Sequence, residues 1–258
     1  MSAWDPLLYL RYGDERGRAA HDLLARVPID QASLIYDLGC GPGNSTELLV
    51  QQFPDAEIVG IDGSEEMLGR ARAVLPDIDF RTADLRQWQP ESPADLLFAN
   101  AVFQWIPNHL DIFEALIEAA PPGGVLAVQM PDNLAEPAKT LMRETAAEGR
   151  WSAKLAGVRE TRKLLPAPEV YYDRLRPLCR SFELWHTTYH HVLENPAAIV
   201  EWMTGSGLRP YLALLDAAEK RDFLDAYTAA IAAVYPPLIA DGRVMLHFPR
   251  FFFVAVRS

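Results

Sequence analysis

Residues 34–46 read LIYDLGCGPGNST, an apolar run that closes on Asp37 and is followed by Gly39, Gly41 and Gly43. An apolar run ending in glycines reads as a buried strand entering a tight turn, because glycine accepts backbone angles that other residues avoid. The spacing is G-x-G-x-G. A dinucleotide fingerprint needs G-x-G-x-x-G, and Asn44 stands where its third glycine would fall. A P-loop needs a closing Gly-Lys-Ser/Thr, and the turn holds no lysine. Asn44 with Glu47 three residues on predicts a capping box at the start of the next helix. Asp37 at the strand end would repel a phosphate and suits a ligand carrying an ammonium or sulfonium charge. A plain strand–helix turn accounts for the glycines without any ligand, so the neighbouring strand ends have to decide.

Outward from this turn, SLIYDL, AEIVGID, IDFRTA, ADLLFAN and GGVLAVQMP read as five successive strands between about Ser33 and Pro131. They are near-continuous apolar runs, as in a parallel sheet covered on both faces. STELLVQQF, SEEMLGRARAVL and LDIFEALIEAA lie between them with apolar residues at helical spacing. This alternation predicts a doubly wound α/β sheet with right-handed crossovers. Ligands in such sheets sit beyond the carboxyl ends of the strands. Asp62 of VGIDGS comes about twenty residues after the turn, where an acid accepts both hydroxyls of a ribose, though it also suits a helix N-cap. Ala83, Asp84 and Leu85 follow the third strand, where an adenine edge would lie. Asn100 and Ala101 end the fourth. Strand ends that converge on one place carry more weight than any single motif.

Beyond Pro131 the pattern changes. Residues 134–159 and 196–235 read as mainly helical, and PEVYYDRLRPL as a helix. RSFELWHTTYHH and the carboxyl-terminal GRVMLHFPRFFFVAVRS read as strands. The strands near 181–191 and 244–256 would complete a mostly parallel seven-stranded sheet. The stretches near 134–165 and 195–240 would be helical insertions forming a substrate lid on a single domain, with 33–131 as the cofactor-binding core.

Half of the 258 residues are apolar and the formal net charge is -11, which suits a packed core and argues against a nucleic-acid or membrane-surface binder. No secretory signal and no membrane-length apolar run is seen, so the cytoplasm is the expected location. Cys40 and Cys179 lie far apart and read as reduced, buried residues without a metal role.

The ordered set DLGCGPGNST, GIDGS with Met67 downstream, TADLR and FANAVFQW resembles the class I S-adenosylmethionine-dependent methyltransferase family over residues 33–131. The resemblance implies a Rossmann-like fold, S-adenosylmethionine as cofactor and S-adenosylhomocysteine as product. It implies that Asp37 and the Gly39–Gly43 turn face the methionine part and that Asp62 holds the ribose. It places Met67 near the adenine, with Asp84 accepting from the adenine amino group and Leu85 touching the ring. Asn100 and Ala101 would meet the cofactor's amino end.

Outside the core, WDPLLYLRYGDERGRAAHDLLARVP, LAVQMPDNLAEPAKTLMRE, EWMTGSGLRPYL and FPRFFFVAVR resemble the branch of that family that forms a monomethyl ester on a small tricarboxylate. One departure from that pattern lies in residues 150–168, a place where substrate preference would differ. A carboxylate is ionised at neutral pH and needs no general base, so no catalytic side chain is assigned. Gripping the remaining carboxylates calls for arginine, which is always charged and bidentate. The candidates are Arg209 on a lid loop after a Gly-x-Gly break, Arg250 among aromatics, and Arg16 and Arg18 on an amino-terminal helix. Tyr9, Trp105, Tyr171, Tyr172 and Trp202 are candidate pocket walls that also suit core packing. His186, His190, His191 and His247 lack the company a metal site needs, so no metal is expected. Had the substrate been a non-ionised carbon or nitrogen, His190, His191 or His247 would have to serve as a base. A protein that binds the cofactor without turnover is the alternative outside enzyme chemistry, and an NAD-dependent oxidoreductase is the weakest reading.

Overall fold

The structure is a computed structural model in which residues 13–158, 162–204 and 207–258 are described. In chain order the elements are α1 (Gly13–Leu24), β1 (Leu34–Leu38), α2 (Asn44–Gln52), β2 (Glu57–Asp62), α3 (Glu65–Val74), β3 (Asp79–Thr82), β4 (Leu96–Asn100), α4 (His109–Ala119), β5 (Val125–Pro131), α5 (Pro137–Ala147), α6 (Ser152–Leu155), α7 (Pro168–Leu175), β6 (Cys179–Leu193), α8 (Pro196–Thr204), α9 (Arg209–Leu212), α10 (Ala217–Val234) and β7 (Val244–Arg257). All seven expected strands are present.

The chain divides into two compact units. Of the described residues, the first comprises 14–131, 165–187 and 250–258, and the second comprises Gly13 and those within 132–164 and 188–249. The expected insertions at 134–165 and 195–240 fall almost wholly within the second. The sheet order is β3-β2-β1-β4-β5-β7-β6. Neighbours from β3 to β5 pair in parallel and β5 pairs antiparallel with β7.

In the first unit, alternate residues of the central strands sort to the two faces. Tyr36, Leu38, Leu97, Ala99, Val128, Met130, Phe251 and Phe253 pack in one apolar cluster with Phe113 and Leu116 of α4 and with Tyr171 and Leu175 of α7. The alternating positions Ile35, Phe98, Ala127 and Phe252 are also buried, so these strands are covered on both faces. On that second face Trp185 stacks on Phe252 at 5.0 Å, and Arg26, just past α1, lies over Trp185 and pairs with Glu183 at 3.0 Å.

His109 opens α4 and is buried. Its Nδ1 lies 2.8 Å from the Ile106 carbonyl, which can only accept, so Nδ1 carries the proton. The Tyr171 hydroxyl, 2.7 Å away, therefore donates to Nε2. Burial pushes the imidazole pKa below its usual 6.5. The unfolded chain then takes up a proton at higher pH than the fold does. The contribution is complete above pH 6.5 and is lost as pH falls below it. Urea midpoints measured at pH 7.5 and 5.5 should fall more for wild type than for His109→Gln, and equal falls would count against a neutral, buried His109.

The second unit has its own core. Ala138, Met142 and Ala146 of α5 meet Ile199, Trp202 and Met203 of α8, Phe223, Tyr227 and Ile231 of α10, and Val244, Leu246 and Phe248 of β7. The Tyr227 hydroxyl donates to the Ala138 carbonyl at 2.6 Å, and Ala138 N–H donates to Tyr235 Oη at 3.2 Å. Asp216 and Glu219 form a reciprocal capping box that starts α10. The helical reading of 134–159 is resolved into α5 and the short α6, parted where Gly149 takes a φ of 75°. Among the described residues no helix is long and apolar enough to cross a membrane.

Candidate functional site

The carboxyl ends of β1, β2 and β4 are drawn together by the turns that follow them. After β1, Gly39 N–H and Cys40 N–H both donate to the Ile61 carbonyl of β2 at 2.7 and 3.1 Å. Gly39 has a φ of 72°, and a Cβ built there would lie 2.4 Å from Val102 Cβ. A side chain at this point meets both a left-handed backbone and an occupied space. Gly39→Ala is therefore expected to cost about 3 kcal/mol of stability, read as a lowered urea midpoint. Val102→Ala should recover only part of it, since the backbone term persists. A Gly39→Ala protein as stable as wild type would show that the turn tolerates a side chain.

Gly43, with φ 96°, caps α2, and its carbonyl accepts the first helical bond from Glu47 N–H at 2.9 Å. No side chain caps this helix, so the expected Asn44–Glu47 box is not formed. Asn44 lies inside the first turn and is exposed, because the left-handed glycine has taken the cap position one residue earlier. The next two residues, Ser45 and Thr46, turn inward. Their hydroxyls donate to Asp37 Oδ2 at 2.8 and 2.7 Å.

Asp37 is fully buried, and its Oδ1 has no hydrogen-bond partner. Burial pushes its pKa up from 3.8 to about 6, against the lowering effect of the Thr46 and Ser45 hydroxyls and with the charge of Asp62 adding to the rise. A half-satisfied buried carboxylate is costly in the free protein and is the feature a cationic ligand would relieve.

Asp62 ties two turns together, accepting from Gly41 N–H at 3.0 Å and Ser64 N–H at 2.8 Å. Each oxygen keeps a lone pair for a further donor. Ser64, not Asp62, is the N-cap of α3, and its hydroxyl accepts from Met67 N–H at 3.4 Å. Asp84 is gripped by the Arg86 guanidinium at 2.6 to 3.0 Å, which holds its carboxyl below the usual range. Leu85 beside it is buried. Asn100 ends β4 with a buried Oδ1 that has no partner. Ala101 follows at φ 59°, its N–H donating to the Gln129 carbonyl at 2.9 Å and its carbonyl accepting Gln104 Nε2 at 2.5 Å.

The expected substrate side chains are divided between the two units. Arg250, on β7, is 4 % exposed, and its Nη1 donates to Gln129 Oε1 at 3.0 Å. Arg209 is the first residue of the short helix α9, not part of a loop, and is exposed; Gly205 and Ser206 before it lie outside the described residues. Trp202 is 2 % exposed and packs on His191 and Phe248 in the second unit. Tyr171 belongs to the core of the first unit, whereas Trp105 and Tyr172 are about half exposed. Tyr9 and the Arg16 side chain lie outside the described residues. His190 and His247 face each other with Nδ1 atoms 2.7 Å apart. Both cysteines are free and buried, with burial pushing their thiols up. Among the described residues no group of three or more metal-ligating side chains occurs.

Sequence reading missed Ser45, Thr46 and Gln129. The hydroxyls were legible as the first helical turn after the glycines, which must face back to the strand end. Gln129 was legible as the one polar residue interrupting the apolar strand VLAVQMP.

Residues 35–124 match the family model described as a methyltransferase domain. The chain is 54% identical over its whole length to a curated trans-aconitate 2-methyltransferase of Afipia carboxidovorans, covering 100% of both chains. It is 54% identical to one from Azoarcus sp. and 52% to one from Rhodopseudomonas palustris, with the same coverage. Among solved structures, the YcgJ protein from Bacillus subtilis aligns at a TM-score of 0.60 with 7% identity, covering 93% of this chain and 98% of that one. A putative methyltransferase from Bacillus halodurans aligns at 0.58 with 13% identity and the same coverage. Fold, family model and full-length relatives together define a class I methyltransferase that uses S-adenosylmethionine. Within that class the chain belongs to the trans-aconitate 2-methyltransferase family.

Proposed function

We propose that the protein transfers the methyl group of S-adenosylmethionine to one carboxylate of trans-aconitate, releasing the monomethyl ester and S-adenosylhomocysteine. The observation that carries this reading is full-length identity above half to curated trans-aconitate 2-methyltransferases. The residues at the strand ends fit the cofactor: a buried Asp37 oxygen without a partner suits a positive group, and Asp62 has lone pairs to spare for a diol. When bound, S-adenosylmethionine supplies an electrophilic methyl group on a sulfonium.

Each residue then has a defined task. Asp37, held by Ser45 and Thr46, offers its bare oxygen to the cofactor's positive end. The Gly39–Gly43 turn lets the cofactor lie against backbone. Asp62 accepts the ribose hydroxyls, and Met67 and Leu85 pack against the adenine. Asp84 shares its carboxylate between Arg86 and the adenine amino group, and the chain at Asn100 and Ala101 meets the amino end. Arg250 grips a carboxylate that does not react, and Arg209 is the second candidate for that role that the sequence offers. The reacting carboxylate is already ionised at neutral pH, so no side chain has to remove a proton. What the protein contributes is alignment, which is worth up to about 7–11 kcal/mol.

The test is direct. Purified protein is incubated with methyl-labelled S-adenosylmethionine and a panel of di- and tricarboxylates, and the products are checked for base-labile methyl esters. Trans-aconitate should be the preferred acceptor. Label on carbon or nitrogen, or no turnover despite cofactor binding, would overturn the reading.

A further inference from the structure

β5 is buried along its whole length and carries one hydrogen-bonding side chain, Gln129, which is 0% exposed. A buried amide is a cost unless its donors and acceptors are met. Only part of this one is met. Its Oε1 accepts Arg250 Nη1 at 3.0 Å, while its Nε2 has no hydrogen-bond partner.

Register places Gln129 in a row. Asn100 pairs directly with Gln129. Asp37 pairs with Phe98, two residues before Asn100, and Arg250 pairs with Pro131, two residues past Gln129. Steps of two keep side chains on one face. Asp37, Asn100, Gln129 and Arg250 therefore lie on the same face of β1, β4, β5 and β7, in that order. From one end the row offers two buried oxygens without partners, then a buried N–H pair without partners, then a guanidinium. A ligand set complementary to it is positive or donating at the Asp37 end and anionic at the Gln129 end.

We propose that Gln129 determines specificity for the acid substrate: Nε2 donates to a substrate carboxylate, while Oε1 fixes the plane of the Arg250 fork that takes the same group. This rests on the methyl-ester reading above. Glutamine suits the place better than glutamate, because a carboxylate there would pair with Arg250 and repel the acid.

The experiment compares Gln129→Glu and Gln129→Leu with wild type. For Gln129→Glu, KM for trans-aconitate should rise about 100-fold with kcat changed less than about threefold. The Kd for S-adenosylmethionine should stay within about threefold of wild type. The loss should shrink from tricarboxylate to dicarboxylate to monocarboxylate acceptors, a gradient that a merely structural role would not produce. Gln129→Leu, which keeps the volume without the new charge, should raise KM about tenfold. Calorimetric binding of trans-aconitate to the protein loaded with S-adenosylhomocysteine repeats the comparison without turnover. It thus separates failure of this proposal from failure of the methyl-ester reading. Equal losses on all acids, a fall in kcat at constant KM, or unchanged trans-aconitate binding in both variants would overturn it. Parallel weakening of S-adenosylmethionine would overturn it too, by placing the cofactor's own carboxylate at Gln129.

Discussion

Replacing Asp37 by asparagine is expected to weaken S-adenosylmethionine binding about 100-fold while raising the melting temperature of the ligand-free protein. The two effects have one cause. Asp37 is fully buried and its carboxylate is met on one oxygen only, by Ser45 and Thr46. Its pKa of about 6, against 3.8 in its ordinary environment, means that the folded protein holds the charge reluctantly. Between those values the fold binds a proton that the unfolded chain does not. Stability of the free protein therefore falls as pH rises through that window, and the penalty is complete above about pH 6. The difference between those two pKa values corresponds to roughly 3 kcal/mol, part of which the asparagine amide forfeits by leaving its own N–H unmet. A gain of about 1–2 kcal/mol remains, or a few degrees in Tm.

A positive ligand reverses the balance by pairing with the bare oxygen. Wild-type affinity for S-adenosylmethionine should consequently decline as pH drops through about 6, and Asp37→Asn should lack that dependence. Scanning calorimetry and titration calorimetry across pH 5 to 8 read both effects. A variant that melts lower, or that binds the cofactor normally, would remove Asp37 from the role proposed for it.

Arg250→Met should raise KM for trans-aconitate by about 100-fold or more, with the Kd for S-adenosylmethionine moved by less than about threefold. Methionine fills the space of the side-chain stem, so the core of β7 among Phe251, Phe252 and Phe253 is kept. What is lost is a guanidinium that is 4 % exposed and oriented by a neutral amide. A carboxylate meeting such a group is paired away from water, where a charged hydrogen bond is worth most. Arg250→Lys should restore little, because an ammonium on a flexible stem cannot reproduce the fork held by Gln129. Arg209, exposed at the start of α9, should give a smaller change of about tenfold or less on replacement by alanine, since solvent screens its charge. Steady-state kinetics on the three variants order the two arginines. A larger effect at Arg209 than at Arg250 would move the acid-binding role to α9.

Much of this protein was determined by sequence alone, and for local reasons. Strand and helix periods are set by which residues must face apolar surroundings, so all seven strands were legible, as was the sheet that joins them. The glycine spacing and the acids at successive strand ends pointed to one cofactor, because short-range backbone demands and strand polarity place those residues together. The capping box was misread since Gly43, through a positive φ, took a position that side-chain propensity assigns to asparagine.

Only tertiary structure decided which polar groups are buried and which are met. Sequence ranked Arg209 and Arg250 equally, and nothing near either in the chain separates them. Burial does, and burial of Arg250 is set by strand pairing with residues more than a hundred positions away. The same holds for Asp37, whose second oxygen is bare because the helix that follows supplies hydroxyls to the first alone. Gln129 stands out in the sequence as a polar break in an apolar strand, but only register sets it between Asn100 and Arg250. Desolvation and hydrogen-bond satisfaction depend on every neighbour in space, and a sequence lists only neighbours along the chain.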